Sequence, residues 1–148
     1  MGQKNEIDPL VEWTVWAHLD SKTDLELILL KGHLLVETIL ETVLKRNNIL
    51  DCENYSFYRK ITSLETFEVE NKLKKDFIIA SLRGINRMRN NLAHELHFDI
   101  GNGDFEIWTS NILQNLKGEK FTKYTYRTKI VHSFSVLSKN ILEIEKRE

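Results

Sequence analysis

Arg89, Asn90 and His94 are the side chains of this sequence best suited to chemistry. They lie within residues 89–94, where a long amphipathic helical pattern ends. An arginine can hold a phosphate through two parallel hydrogen bonds, and a histidine can take up and release a proton near neutral pH. Together these groups supply what metal-free cleavage of RNA requires, a cation for the phosphate and a general acid or base.

Each of these residues also has an interpretation without catalysis. Arg89 lies at the edge of an apolar arc, where it would reach solvent along its aliphatic stem or pair with a carboxylate of a neighbouring helix. Asn90 and Asn91 are poor helix formers that would fray or end the helix. His94 would be an ordinary histidine in a last helical turn, where a cation is favoured. Both interpretations stay open at this point.

The elements that position these residues are predicted to be helices, because apolar residues recur with a helical period and the only proline is Pro9. The predicted helices span residues 9–18, 23–46, 55–64, 69–92, 104–116 and 122–146. Residues 104–116 also permit a short strand, and Gly-Asn-Gly at 101–103 predicts a turn before them. We therefore expect an all-α, up-and-down bundle of about four to six helices.

The predicted helix 23–46 is apolar on nearly all sides. Its broad face carries Leu25, Ile28, Leu29, Leu35, Val36, Ile39, Leu40 and Val43, and its opposite side carries Leu27, Leu30, Leu34 and Leu44. Such a helix must be central in the bundle or bury its second face against another subunit, which favours a homodimer. Gly32 within it indicates close approach of a neighbouring backbone, with Gly84 as a candidate packing partner.

Length and composition are typical of a single domain, residues 1–148, since 41% of the 148 residues are hydrophobic. The 21 basic and 22 acidic residues give a formal net charge of -1, so nucleic acid would require a local patch. The sequence has no run of apolar residues long enough for a membrane span, and its first residues do not resemble a signal peptide. With Cys52 as the only cysteine, these features predict a cytoplasmic protein without membrane contact.

The sequence around the motif resembles the HEPN superfamily of small helical domains. The signature of that superfamily is an arginine, usually followed by a polar residue, and a histidine after four to six intervening residues. Here Asn90 follows Arg89, and four residues precede His94. Residues 85–96 look like the motif of small bacterial members, and residues 29–37 resemble the family's earlier core helix. The resemblance extends from about residue 24 onward, and only the Arg-to-His stretch is a true motif.

The resemblance implies a metal-independent endoribonuclease, in which the ribose 2′-hydroxyl attacks the adjacent phosphate and leaves a 2′,3′-cyclic phosphate. His94 would act as general base or acid, Arg89 would stabilise the phosphorane charge, and Asn90 would orient the substrate or the arginine. In the family the cleft usually forms between two subunits, which implies a homodimer. The implied role is that of a toxin or phage-defence RNase, with RNA as substrate and an antitoxin protein as neutralising partner.

Several alternatives remain beside this prediction. Arg87 also precedes His94 at a spacing within the family range and is the reserve candidate for the arginine. Five residues of regular helix turn about 140° from Arg89 to His94, so the helix must end or distort, or the side chains must meet around a shared cleft. The competing function is a non-catalytic HEPN-like module that binds RNA, a nucleotide or a protein. A third alternative is a helical dimer in which the arginine and the histidine only cap a helix.

Two further groups of residues are candidates for a supporting role. Glu37 and His33, one turn apart in helix 23–46, would hold Arg89 or form a solvated pair. A basic and aromatic segment is a candidate RNA-binding patch, or a solvated loop with inward aromatics. It contains Lys117, Lys120, Lys123, Tyr124 and Arg127. No cysteine pair accompanies His94 and His97, so neither a metal nor a cofactor is expected.

Overall fold

A computed structural model describes residues 11–12, 14–16, 25–94, 103–118 and 126–146. Its helices are α1 (Leu25–Arg46), α2 (Phe57–Glu65), α3 (Lys72–His94), α4 (Asp104–Asn115) and α5 (Tyr126–Leu142), with a 3-10 turn at Cys52–Asn54. Residues 11–12 and 14–16 are also helical, and no strand occurs in the described part of the chain. The all-α prediction is confirmed for these residues, and the strand alternative within 104–116 is wrong.

Local sequence explains where three of the helices begin. The hydroxyl of Ser56 accepts a hydrogen bond from the backbone N–H of Arg59 (3.2 Å) and caps α2. The side-chain oxygen of Asn71 accepts one from the N–H of Lys74 (3.0 Å) at the start of α3. Gly103 precedes α4 with a φ of 100°, a left-handed conformation that glycine adopts without a Cβ clash.

Helices α1 and α5 pack together and run in the same direction. Gly32, in the first half of α1, lies against the ring of Phe134 in the middle of α5. At the other end of α1, the guanidinium of Arg46 donates hydrogen bonds to the carbonyls of Leu142 and Ile144, where α5 ends. The contact at Gly32 and Phe134 precedes the contact at Arg46 and Leu142 along both helices, so the helices are parallel.

Helix α3 runs antiparallel to α1. His33 in the first half of α1 interacts with Asn86 and Arg89 in the second half of α3. The start of α3, at Asn71 and Lys74, lines a cleft with the end of α5 and therefore lies near the end of α1. The beginning of α1 and the end of α3 consequently lie at the same end of the bundle, and that is where the predicted motif lies.

The central helix of the bundle is α5, since all its residues from Ile130 to Ser138 are buried. Two of its buried hydroxyl groups bond to backbone carbonyls, since Ser133 donates to Lys129 and Ser135 donates to His132. Sequence reasoning expected α1 to be central or to be covered by a second subunit. The structure assigns the central place to α5.

The two glycines of the long helices, Gly32 and Gly84, each pack against an aromatic ring and not against each other. A Cβ on Gly32 would lie 2.6 Å from the ring of Phe134, and one on Gly84 would lie 3.2 Å from Trp108 Cδ1. The predicted pairing of Gly32 with Gly84, and the backbone approach at Gly32, are therefore wrong. The Phe134 and Trp108 rings themselves pack with their centroids 4.9 Å apart, so one aromatic cluster occupies both gaps.

The apolar faces were predicted correctly for most positions and wrongly for two. Leu44, placed on the second side of α1, is fully buried. Leu73, assigned to the apolar arc of α3, is 82% exposed in the first turn of the helix. The remaining leucines of the second side, Leu27, Leu30 and Leu34, are 37%, 37% and 54% exposed, so they form a partly exposed apolar stripe among the described residues of α1.

Candidate functional site

The motif residues lie in the last two turns of α3. The helix continues through Asn90 and Asn91 to His94, so the expected interruption at the two asparagines does not occur before His94. Arg89 is half-buried, whereas Asn90 and His94 are exposed. On a regular helix Arg89 and His94 are about 140° apart around the axis, so a single chain presents them on different sides.

Arg89 lies within electrostatic range of a buried histidine of α1, His33. His33 is 6% exposed, and its ring meets the ring of Phe57 edge-on at a centroid distance of 4.4 Å. The side chain of Asn86, one turn before Arg89, lies near enough to His33 to raise its pKa. His33 Nε2 is buried and has no hydrogen-bond partner among the described residues. Predicted as a supporting residue for Arg89, His33 is thus brought into the electrostatic range of that guanidinium.

Burial lowers the pKa of His33, and the charge of Arg89 lowers it further. The side chain of Asn86 and the carboxylate of Glu37 act in the opposite direction without cancelling the effect of burial. The imidazole of His33 is therefore neutral near neutral pH. A neutral ring can lie next to the guanidinium without repelling it.

Glu37 forms its ion pair with a lysine of α2. Lys60 Nζ lies 3.0 Å from Glu37 Oε2 and 3.2 Å from Glu41 Oε2, and the Lys60 side chain is only 4% exposed. Burial opposes the lysine charge, but the hydrogen bonds to Glu37 and Glu41 more than offset it and raise the pKa of Lys60. No ion pair joins Glu37 to Arg89 within the described residues, so the arginine keeps its charge available for another anion.

Sequence reasoning missed Lys60, although the pattern held a signal for it. Lys60 lies three residues after Phe57 and four before Leu64, both of which are buried. This spacing puts the lysine on the buried face of α2, where a charge needs a partner. Two glutamates one turn apart on α1 were the available partners.

A second feature that sequence reasoning missed is a polar stripe on α3. Arg83, Arg87, Asn90 and His94 follow each other at steps of four, three and four residues, which places them along one side of the helix. Arg87, Asn90 and His94 are exposed, and Arg83 is half-buried. Arg83 pairs with Glu65 at 3.0 Å, whereas Arg87, the reserve candidate for the arginine, makes no ion pair among the described residues.

The predicted basic segment is described only in part. Lys117 is exposed, Arg127 belongs to α5, and the side chain of Arg127 lies outside the described residues, as do Lys120, Lys123 and Tyr124. The described residues contain no group of three potential metal ligands, and His97 is not among them. Cys52 is buried, and burial raises the pKa of its thiol, which makes it a poor nucleophile.

The environment of His33 predicts a dependence of stability on pH. Because the unfolded chain binds a proton at His33 more readily than the folded protein, this residue's contribution to stability is present above about pH 6.5 and is lost as the pH falls through its lowered folded pKa. The free energy of unfolding should therefore fall more steeply for the wild type than for His33→Gln, by at most about 1.4 kcal/mol per pH unit. Urea unfolding between about pH 7.5 and about pH 5 measures both slopes. Parallel curves for the two proteins would contradict the assignment.

Within the described residues, no helix combines the length and apolar character needed to cross a membrane. Comparison with protein-family models, with curated proteins and with solved structures found no match to this chain. The arrangement of Arg89, His33, Asn90 and His94 is therefore the basis on which a function can be assigned.

Proposed function

We propose that this protein is a HEPN-like, homodimeric, metal-independent endoribonuclease. The observation that carries the proposal is Arg89, a half-buried arginine without a carboxylate partner in the described residues, followed by Asn90 and His94 at the end of a long helix. A guanidinium that is partly withdrawn from water and not already neutralised binds a phosphate strongly. The exposed imidazole of His94, five residues later, supplies the proton transfer.

In the proposed reaction, the ribose 2′-oxygen forms a bond to the adjacent phosphorus while the bond from phosphorus to the 5′-oxygen breaks. His94 accepts the proton of the 2′-hydroxyl as the phosphorane forms, and the imidazolium then gives this proton to the leaving 5′-oxygen as its bond to phosphorus breaks. Arg89 stabilises the extra negative charge of the phosphorane, and Asn90 orients the phosphate. The products are a 2′,3′-cyclic phosphate and a free 5′-hydroxyl. A toxin or phage-defence role, with an antitoxin as neutralising partner, belongs to the same proposal.

A dimer would explain how Arg89 and His94 can act together although they lie about 140° apart around the axis of one helix. The antiparallel packing of α1 and α3 puts Leu27, Leu30 and Leu34 at the end of the bundle that carries the motif. A second copy packed on these leucines would bring two motifs together, and His94 of one copy could then act beside Arg89 of the other. Burying the three side chains would supply part of the free energy of association.

The proposed interface predicts that charged residues in place of the exposed leucines of α1 disrupt the dimer. A Leu30→Glu/Leu34→Glu variant should be a monomer where the wild type is a dimer, because two carboxylates would have to be desolvated in the contact. Light scattering after size-exclusion chromatography measures the mass of each. Leu73→Glu, at an 82% exposed position in the first turn of α3, is the matched control and should remain dimeric. A wild type that is monomeric at micromolar concentration, or a dimeric variant, would contradict the interface.

Cleavage of a fluorescent RNA pool in EDTA tests the function itself. The wild type should produce 2′,3′-cyclic phosphate ends, and folded His94→Ala and Arg89→Ala variants should not. RNA that is bound but not cleaved by the wild type would instead support the second candidate, a non-catalytic HEPN-like binding module. The observation in favour of that second candidate is the position of His94 on a different side of α3 from Arg89.

A further inference from the structure

The exposed side of α3 carries four residues in line, Arg83, Arg87, Asn90 and His94, which we call the α3 stripe. Eleven residues of helix separate its first and last members, a length of about 16 Å. The stripe contains no acidic residue, and its last member is the proposed catalytic histidine. The chain as a whole has a net charge of -1, so binding of a polyanion would depend on local cations such as the two arginines of this stripe.

An exposed aromatic ring lies beside the first residue of the stripe. Tyr58 of α2 is 63% exposed, and the guanidinium carbon of Arg83 lies 5.5 Å from the centroid of its ring. Arg83 is also held by Glu65 at 3.0 Å, so much of its charge is already neutralised. Arg83 therefore acts mainly to hold the tyrosine ring, and Arg87 is the cation of the stripe that is available to a ligand.

We propose that Tyr58 and the α3 stripe form the track along which single-stranded RNA reaches His94. In this arrangement Tyr58 stacks on a base, Arg87 binds a backbone phosphate, and Asn90 hydrogen-bonds to the nucleotide nearest the histidine. The inference rests on the proposed ribonuclease function and adds the path of the substrate to it.

The chemistry of the stripe favours a single nucleic-acid strand over an acidic protein segment. A single row of polar residues with an exposed ring at one end offers one line of phosphate contacts and a stacking platform, which suits a chain that alternates phosphates and bases. An acidic peptide would use the cation but would gain little from the face of the tyrosine ring. The residues of the track differ from those of the basic segment 117–127 that the sequence analysis singled out.

Fluorescence anisotropy with a labelled 12-nucleotide 2′-O-methyl RNA tests the track on the full-length protein. This RNA lacks the attacking hydroxyl, so binding is measured without cleavage. Tyr58→Leu should lower the affinity about fivefold or more, whereas Tyr58→Phe should retain it. Arg87→Ala should weaken binding and reduce the slope of log affinity against log salt concentration by about 0.7, the value for one phosphate contact on a single strand. Lys72→Ala, the same loss of charge at the far end of α3, should change neither quantity.

The track would be overturned by a wild type that does not bind this RNA at low salt, or by Arg87→Ala and Lys72→Ala variants that behave alike. Equal displacement of the RNA by poly-glutamate and by unlabelled RNA would also overturn it, since any polyanion would then suffice. The cleavage assay separates this failure from that of the proposed function. His94-dependent cleavage that Arg87→Ala and Tyr58→Leu leave unchanged would keep the ribonuclease and remove the track. Stripe-dependent binding without cleavage would keep the track and remove the ribonuclease.

Discussion

Replacement of His94 by alanine should lower the rate of RNA cleavage by about 10²- to 10⁴-fold, the usual contribution of a general acid or base. Arg89→Ala should lower it by about 10²- to 10³-fold, because the phosphorane would lose its main charge stabilisation. Arg89→Lys should recover part of this loss, since a lysine keeps the charge but not the planar fork of donors. Single-turnover cleavage of a labelled RNA measures all three, with Lys72→Ala as the control for a remote loss of charge. A His94→Ala variant that keeps a tenth or more of the wild-type rate would contradict the assignment.

A mixture of the two inactive variants tests whether the site is shared between copies. If each site takes Arg89 from one chain and His94 from the other, a heterodimer of Arg89→Ala and His94→Ala contains one intact site and one doubly altered site. Equal mixing with exchange of subunits should then restore about a quarter of the wild-type activity. A site built within each chain would give no recovery, because every copy would lack one of the two groups.

Phe134→Ala should lower the free energy of unfolding by about 3–5 kcal/mol, the largest change in stability expected for this protein. The ring is fully buried, packs 4.9 Å from Trp108 and lies against Gly32, so its loss opens a cavity between α1, α4 and α5. Since small domains are stable by only about 5–15 kcal/mol, the variant would be marginally folded. Urea unfolding followed by circular dichroism measures the change. Ile107→Ala, at a 61% exposed position of α4, is the matched control and should cost less than about 0.5 kcal/mol.

Gly32→Ala provides a test of the contact itself. In the wild type the added Cβ would lie 2.6 Å from the Phe134 ring, an overlap that should cost about 1–3 kcal/mol. In the Phe134→Ala background the same methyl group has room, so its cost should disappear and the better helix propensity of alanine should remain. Simple additivity of the two changes would mean that the ring does not occupy the space beside Gly32.

The sequence predicted the helices of this fold better than their arrangement. The 3.6-residue period is a local property of the sequence, so the observed helices could be expected at nearly their actual positions. The central place of α5 could not, because Ser133 and Ser135 are polar residues whose hydroxyls bond to carbonyls of their own helix. A hydropathy pattern counts such residues as solvent-facing, and only the packed structure shows that they are buried.

The candidate site was likewise predictable in its sequence motif but not in its packing. The motif itself, with Arg89, Asn90 and His94, can be found from residue types and spacing alone. The residues that interact with Arg89 and Glu37 cannot be found in this way, because they depend on which helices pack together and on how the helices are shifted along each other. Antiparallel packing of α1 on α3 brings His33 to Asn86 and Arg89, whereas the approach of α2 gives Glu37 to Lys60.

The buried position of Lys60 also determines how this protein should respond to ionic strength. Mobile ions screen charges that are in contact with water, and their effect on a pair withdrawn from water is much smaller. The ion pairs of Lys60 with Glu37 and Glu41, which join α2 to α1, should therefore be weakened less by salt than the exposed pair of Lys45 with Glu53. Dissolved ions would then act on the outer surface while the bundle keeps its shape, so that a change of buffer can loosen a bound polyanion without unfolding the protein that holds it.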